Sequence, residues 1–207
     1  MFIDLPPPEP SLEIVVASRG YSKGLAQTDG AQLLARGEVA FGRVSLGAYW
    51  KNITSSSADG EAGVQIAVRA PVAGFDLTGS VTYKHYTGIE APTDEDTFEF
   101  VASASRRFGA VTPRVSATFS FDDLGGTRES LYLEGGLGYR VAPGATISAN
   151  VGRRERSNGT DYTTFNAGIS YQIVRQVTVE ARYYDTAESA LGDAYEGRAV
   201  GVVRVRF

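Results

Sequence analysis

Residues 196–207 decide how this chain folds, and they read Glu196-Gly197-Arg198-Ala199-Val200-Gly201-Val202-Val203-Arg204-Val205-Arg206-Phe207. Counted back from Phe207 in steps of two, one set of positions carries Phe, Val, Val, Gly and Ala. The alternate set includes Arg206, Arg204 and Arg198. A period of two, with apolar groups on one side and charges on the other, is typical of a β-strand whose two faces meet different surroundings. The stretch therefore predicts a strand that continues to an aromatic terminus.

The composition allows a membrane β-barrel and excludes several other classes of protein. No run reaches the eighteen or so consecutive apolar residues that a membrane-spanning helix requires. A transmembrane barrel alternates apolar and polar residues, so a mean hydropathy of -0.14 is compatible with one. The absence of cysteine removes disulfides and thiolate chemistry, and a net charge of -4 disfavours nucleic acid as a partner. No zinc, phosphate-loop or nucleotide motif is present, so we expect neither a metal nor a cofactor.

The same alternation recurs along the chain and predicts about twelve antiparallel strands. Residues 75–84 are the clearest example, and the first strand is expected from about Leu12 to Tyr21. Residues 1–11 are rich in proline and predict an extended N-terminal periplasmic arm, which leaves residues 12–207 for the barrel. We therefore expect an all-β, antiparallel, up-and-down transmembrane barrel.

The connections between the predicted strands alternate in length. Short connections at one rim and long polar ones at the other are typical of outer-membrane barrels, with both chain termini on the periplasmic side. The short connections are expected at 42–43, 71–74, 109–112, 143–144 and 174–176, and the long ones at 22–30, 54–60, 88–96, 122–128, 155–161 and 186–195.

Alternation alone also fits a soluble sandwich or a lipocalin-like barrel with its apolar face inward. The positions of the aromatic residues favour the membrane barrel, because they fall near the strand ends of the apolar face while small aliphatic residues fill the middle. This pattern predicts two aromatic girdles around a lipid-facing band. The expected girdle residues are Phe41, Phe75, Tyr139, Tyr171 and Phe207 at the short-turn rim, and Trp50, Tyr83 and Tyr183 toward the loop rim.

The polar face carries charges of both signs and is rich in arginine. Arginine forms planar two-point pairs with carboxylates and is preferred where water is restricted, so this face is expected to line a lumen. Rows of opposite charge across it would screen solutes by charge and size. The expected lumen residues are Arg36, Arg69, Arg114, Arg140, Arg182, Arg198 and Arg204, opposed by Glu38, Glu99, Glu134 and Glu180.

Two further features carry weaker hypotheses. His85, the only histidine, has the lipid-facing parity and stands two positions before Thr87, the spacing found in outer-membrane lipid hydrolases. The hydroxyl is threonine and no third orienting group is evident, so an interfacial histidine is the preferred interpretation and no catalytic residue is predicted. Asp122-Asp123 and Asp94-Glu95-Asp96 are interpreted as solvated loop acids without the ligand spacing of a calcium loop.

The terminal strand resembles the C-terminal signature of Gram-negative outer-membrane barrels. Arg19-Gly20-Tyr21-Ser22, Gln27-Thr28-Asp29-Gly30 and Gly47-Ala48-Tyr49-Trp50 together resemble a family of uncharacterised proteobacterial outer-membrane proteins that open with an R-G-x-S segment. This resemblance implies a small porin-like barrel. In architecture the chain is also similar to twelve-stranded, arginine-lined porins for acidic oligosaccharides.

We therefore predict an outer-membrane channel that passes small hydrophilic solutes. The alternatives are a non-conducting structural or accessory subunit of an envelope complex and, third, a lipid-facing hydrolase. The expected partners are outer-membrane lipid and lipopolysaccharide, the barrel-assembly machinery through the C-terminal strand, and an envelope protein through the Pro6–Pro10 arm or the barrel exterior.

Overall fold

The structure, a computed structural model, describes residues 6–54, 58–89, 94–123 and 127–207. It contains fourteen strands and two short 3-10 turns at Ser189–Leu191 and Asp193–Tyr195. The strands are β1 (Glu9–Ala17), β2 (Tyr21–Ser22), β3 (Leu25–Ala26), β4 (Gln32–Phe41), β5 (Val44–Asn52), β6 (Gly60–Val72), β7 (Phe75–Thr87), β8 (Asp96–Ser105), β9 (Val111–Asp123), β10 (Arg128–Ala142), β11 (Ala145–Arg156), β12 (Tyr162–Val174), β13 (Val177–Thr186) and β14 (Arg198–Arg206).

Twelve of these strands form a closed antiparallel barrel, as the sequence predicts. The strands from β4 to β14 pair in chain order, and β1 closes the ring by pairing with β14 on one side and β4 on the other. β2 and β3 form a separate hairpin. Among the described residues, no helix is long or apolar enough to cross a bilayer.

The barrel has an apolar exterior and a polar interior, the reverse of a soluble core. In β5, Val44, Leu46 and Trp50 point outward and are 42–48% exposed, whereas the intervening Ser45 and Lys51 are buried. The same alternation runs through the other barrel strands, so apolar side chains form a continuous outer band. A barrel with this distribution hides its polar groups from lipid. The expected girdle residues lie on this exterior: all except the half-buried Phe41 are exposed.

The N-terminal segment differs from the prediction. β1 begins at Glu9 and ends at Ala17, rather than running from Leu12 to Tyr21, so Glu9–Ser11 belong to the barrel and pair with β4. Pro10 is accommodated because it lies beyond the stretch of β1 that pairs with β14, near the end of the sheet. The extended arm is thus shorter than expected, and residues 1–5 lie outside the described part of the chain. Pro6 lies against the β4–β5 turn, 2.9 Å from the position that a Cβ on Gly42 would occupy.

β1 ends early because the chain turns into the lumen after Ala17. Gly20 lies close to the barrel wall at this point: a Cβ on it would lie 2.2–2.6 Å from the end of the Gln32 side chain, which would have to shift. Beyond this point the chain forms the β2–β3 hairpin. This hairpin is the feature of the fold that positions the candidate site.

Candidate functional site in the barrel lumen

The β2–β3 hairpin, Tyr21–Ala26, folds inward and is here called the Lys23 hairpin. Its tip residues Lys23 and Gly24 both have positive φ, 49° and 78°, which suits the two-residue turn of a tight hairpin. The hairpin packs on the inner face of β12: the Tyr162 hydroxyl donates a hydrogen bond to the Lys23 carbonyl at 3.1 Å. A Cβ on Gly24 would lie 2.2 Å from Thr164. At the other end of the hairpin, Tyr21 stacks on Tyr184 of β13 with ring centroids 4.2 Å apart.

The tip of the hairpin reaches the far side of the barrel. Lys23 Nζ lies 2.8 Å from Glu99 Oε2 on β8 and 2.8 Å from Asp123 Oδ2 on β9. β9 stands six places from β1 in the closed ring in either direction, so it is directly opposite the strand from which the hairpin departs. The Lys23 hairpin therefore crosses the lumen near the loop rim.

All three lysines of the chain meet at this level of the lumen. Lys51 on β5 and Lys84 on β7 share Glu61 on β6, with N–O distances of 3.1 and 3.9 Å. Lys84 also binds Glu99 at 2.7 Å. Asp123 pairs in turn with Arg154 on β11. The result is a continuous chain of ion pairs of alternating sign, here called the ion chain, which runs Lys51–Glu61–Lys84–Glu99–Lys23–Asp123–Arg154.

The ion chain is buried and its members have further hydrogen bonds. Its side chains are 2–13% exposed. The Tyr49 hydroxyl donates to Glu61 at 2.6 Å, Lys51 donates to Gln27 at 2.7 Å and Ser130 donates to Asp123 at 2.7 Å. Buried charges are tolerated only when paired and hydrogen-bonded, and the alternation of sign meets that condition. The ion chain thus ties the hairpin to six barrel strands, β5 to β9 and β11.

The lumen toward the short-turn rim is lined by arginine and carboxylate pairs that are more open. Arg69 Nη2 lies 3.0 Å from Glu38 Oε1, and Arg114 Nη2 lies 2.5 Å from Glu134 Oε1. The side chains of Arg69 and Arg114 are 62% and 55% exposed although they point inward. This half of the lumen is therefore accessible to solvent.

The remaining predicted lumen residues also lie on the inward face. Arg182 pairs with Glu180 at 2.5 Å, and Arg204 lies 3.6 Å from Glu13. Arg36 lies over the Tyr49 ring at 5.5 Å, and Arg198 pairs with Glu196 at 2.7 Å near the loop rim. Arg140 lines a small cavity of about 90 Å³ at the short-turn rim. Glu99 is separate from these pairs because it belongs to the ion chain.

Several residues of the ion chain were missed from the sequence. Lys51, Lys84 and Arg154 have the inward parity of their strands, and the rarity of lysine in the chain is a signal that points to the first two. Lys23 gives no such signal because it lies in a loop segment. Asp123, interpreted as a solvated loop acid, is buried instead. Between the pairs Asp123–Arg128 and Ser120–Ser130, β9 has one more residue than β10, and this irregularity turns the Asp123 carboxylate inward to Lys23.

The lumen contains a cavity near each rim of the barrel. A cavity of about 400 Å³ surrounds the Lys23 hairpin on the loop side, and Arg19, Arg154, Arg156, Tyr86 and Tyr195 line part of it. A second, of about 310 Å³, lies at the short-turn rim and includes Glu13, Arg36, Glu38, Arg69 and Arg206.

His85 lies outside the lumen, as its parity predicts. Its Nδ1 is 2.9 Å from Asp96 Oδ1, which also accepts a hydrogen bond from the Tyr83 hydroxyl at 2.6 Å. Its hydrogen-bond partner is thus Asp96 rather than Thr87. Among the described residues, His85, Glu95 and Asp96 form the one group whose donor atoms lie close enough to share a metal ion, within 4.8 Å of one another.

Solved structures with a similar fold are outer-membrane barrels. A KdgM porin in complex with disordered oligogalacturonate matches with a TM-score of 0.65 and 10% identity, over 95% of this chain and 98% of that one. A NanC porin matches with a TM-score of 0.59 and 9% identity, over 94% and 97%. An outer-membrane channel from Pseudomonas putida F1 matches with a TM-score of 0.55 and 12% identity, over 95% and 94%. The fold is that of small outer-membrane porins and channels.

In sequence, the chain matches no curated protein. The profile of one bacterial family, described as bacterial protein of unknown function (Gcw_chp), matches residues 46–203. The match covers most of the barrel and includes Gly47–Trp50, whereas the Arg19–Ser22 segment lies outside it, so that motif is not confirmed as a mark of the family. The chain therefore belongs to the Gcw_chp family, and its structure is a twelve-stranded barrel with a hairpin across the lumen.

Proposed function

We propose that this barrel is an outer-membrane channel for small hydrophilic solutes, narrowed near its loop rim by the Lys23 hairpin. The observation that carries the proposal is the difference between the two halves of the lumen. Inward-facing Arg69 and Arg114 are more than half exposed, whereas the ion chain is 2–13% exposed. A lumen that is solvated on one side and closed by one loop segment on the other is suited to regulated passage.

The charges of the wall favour negatively charged solutes. Cations outnumber carboxylates on the inward face, although the whole chain has a net charge of -4. A narrow pore lined with an excess of one sign concentrates ions of the other sign. The similar KdgM porin was solved with oligogalacturonate, an acidic oligosaccharide, which is consistent with an anionic solute here. Among the described residues, the inward cations are Lys23, Arg36, Lys51, Arg69, Lys84, Arg107, Arg114, Arg140, Arg154, Arg156, Arg182, Arg198, Arg204 and Arg206, and the inward carboxylates are Glu9, Glu13, Glu38, Glu61, Asp76, Glu99, Asp123, Glu134 and Glu180.

The test is conductance in planar bilayers, with and without the hairpin. Residues 21–26 are replaced by two glycines, and a control variant carries Ser157→Gly and Thr160→Gly at exposed positions of another loop at the same rim. We expect small or brief currents from the unmodified protein and the control, and currents several-fold larger from the variant without the hairpin. A variant that folds, as judged by its heat-dependent gel mobility, and yet carries no current would contradict the channel function.

A second function is favoured by the burial of the ion chain, since a lumen held shut suits a non-conducting accessory barrel. Its partner would be an envelope protein that docks on the barrel exterior or on the arm at Pro6–Pro8. Pull-down from detergent extracts, with and without residues 6–8, tests this function. A silent variant without the hairpin, together with one reproducible partner, would favour it over the channel.

A further inference from the structure

Arg106 is a cation on the outward face of the barrel. It follows the last residue of β8 and has the parity of the lipid-facing Phe98 and Phe100. Its guanidinium carbon lies 5.0 Å from the ring centroid of Phe75 and 5.0 Å from that of Phe108. Both rings are exposed on the exterior, at 40% and 55%. The guanidinium is thus held by two aromatic rings at the short-turn edge of the apolar band, a position that corresponds to the membrane interface.

No described carboxylate lies within ion-pair distance of Arg106. Asp76, next to Phe75 in sequence, has the opposite parity and faces the lumen. Arg107, which follows directly, has the opposite parity and lines the small cavity at the short-turn rim together with Arg140. The comparison is Arg153, an outward-facing arginine near the loop rim, whose guanidinium lies 3.6 Å from Asp161. Among the described residues, the loop rim therefore supplies a carboxylate for outward-facing Arg153, whereas the short-turn rim supplies none for Arg106.

We propose that Arg106, with Phe75 and Phe108, binds the phosphate of a phospholipid headgroup. An arginine at the edge of a lipid-facing band is favourable only when its charge meets an anion or water. Guanidinium donors match phosphate oxygens in two-point geometry, and phosphates lie at the depth of the aromatic girdle. The two phenyl rings leave the guanidinium edge free for such an anion and offer an apolar surface to the acyl chains.

The position favours a lipid over free phosphate as the source of the anion. The rings of Phe75 and Phe108 flank Arg106, and the apolar band continues from them through Leu77 and Val111. Free phosphate makes no favourable contact with this apolar surface. A diacyl phospholipid, in contrast, can bind the guanidinium with its phosphate and the apolar band with its acyl chains. Lipid should therefore bind far more tightly than the free anion at equal concentration.

The experiment is native mass spectrometry of the full-length barrel released from detergent in the presence of phosphatidylglycerol. We expect one retained lipid, at least fivefold less retention in Arg106→Gln, and unchanged retention in the control Arg153→Gln. Diacylglycerol with the same acyl chains should not be retained, and millimolar inorganic phosphate should not displace the phospholipid. Equal retention by Arg106→Gln and the unmodified protein would overturn the proposal. Displacement by inorganic phosphate would show a free-anion site and overturn the lipid assignment.

Discussion

Lys23 is the residue that fixes the tip of the hairpin across the lumen. It binds two carboxylates on adjacent strands, Glu99 and Asp123, each at 2.8 Å. Each of these carboxylates also has a cation from the barrel wall, Lys84 or Arg154. Removal of Lys23 from the lumen would therefore leave Glu99 and Asp123 with one cation each rather than with none. The carboxylates of the wall are therefore paired with or without the hairpin.

Glu61, in contrast, is fixed in the wall, and its neutralisation should destabilise the barrel. Its side chain is 2% exposed and is shared by Lys51, Lys84 and Tyr49. Glu61→Gln leaves two buried ammonium groups short of an anion, and we expect a loss of about 3 kcal/mol in the free energy of unfolding. Denaturant titration in detergent micelles measures this change in the free energy of unfolding.

The matched control is Glu129→Gln, at an exposed acid near the start of β10, which should change stability by less than about 0.5 kcal/mol. The double variant Lys51→Gln/Glu61→Gln should lose less than the sum of the two single losses, since it removes both members of a pair. Additive losses would show that Glu61 and Lys51 do not interact.

At the residue scale, the sequence predicts which strand residues line the lumen better than it predicts the hairpin that lies inside it. Strand alternation places Arg69, Glu38, Arg114 and Glu134 on one face because side-chain direction in a strand follows parity alone. Which cation meets which carboxylate depends on the register and stagger of the strands, which a single strand does not encode. Lys23 lies in a segment with no parity, so its path across the lumen was not predictable.

Among the elements, β1 and β14 differ from the other barrel strands because they close the ring. Their register comprises five residue pairs, Glu13–Ala17 with Val202–Arg206, against twelve for β10 and β11. The seam is short because the chain leaves β1 after Ala17 to form the Lys23 hairpin. Residues 21–26 form the hairpin and so do not lengthen the pairing of β1 with β14.

This short seam should open before the rest of the barrel. A ladder with fewer hydrogen bonds opens at a lower free energy, so its amides exchange with solvent earlier. In hydrogen–deuterium exchange of the protein in micelles, we expect peptides from β1 and β14 to take up deuterium earlier than peptides from β10 and β11. Equal protection of the two regions would contradict the prediction.

The number and type of the elements were predictable, and some of their ends were not. Alternation gave about twelve strands, and twelve are observed in the barrel. The errors lie at β1. The sequence predicts that Pro10 precedes this strand and that Tyr21 belongs to it, whereas β1 runs from Glu9 to Ala17. The two errors have different causes. Pro10 is tolerated because it lies where β1 has a partner strand on one side only. Tyr21 is outside β1 because it belongs to a hairpin whose strands have two residues each.

At the scale of the whole molecule, the chain separates its charges by surface. It is acidic overall, yet the inward face carries an excess of cations. Arg206, Arg69 and Arg114 are the most exposed of the paired cations in the lumen's open half, at 68, 62 and 55%. Under the proposed channel function, the field that a solute would meet in the lumen is opposite in sign to the net charge of the protein.

The reversal potential of the open channel should follow this inner charge. In the variant that lacks residues 21–26, under a potassium chloride gradient, we expect chloride to be preferred over potassium. Arg69→Gln/Arg114→Gln should move the reversal potential toward zero because it removes two solvated cations. The control Arg153→Gln, outside the lumen, should leave it unchanged. A preference for potassium in the starting variant would contradict the anionic solute.

The location of the three lysines has a chemical consequence. Every side-chain primary amine of this protein lies in one cluster that is at most 11% exposed, so the folded barrel presents no lysine to the medium. Acylating reagents and lysine-specific proteases, which modify most proteins at their surface, would meet a substrate only when the hairpin withdraws. The rate of acylation at Lys23 would then measure how often the barrel opens, without a membrane or a voltage.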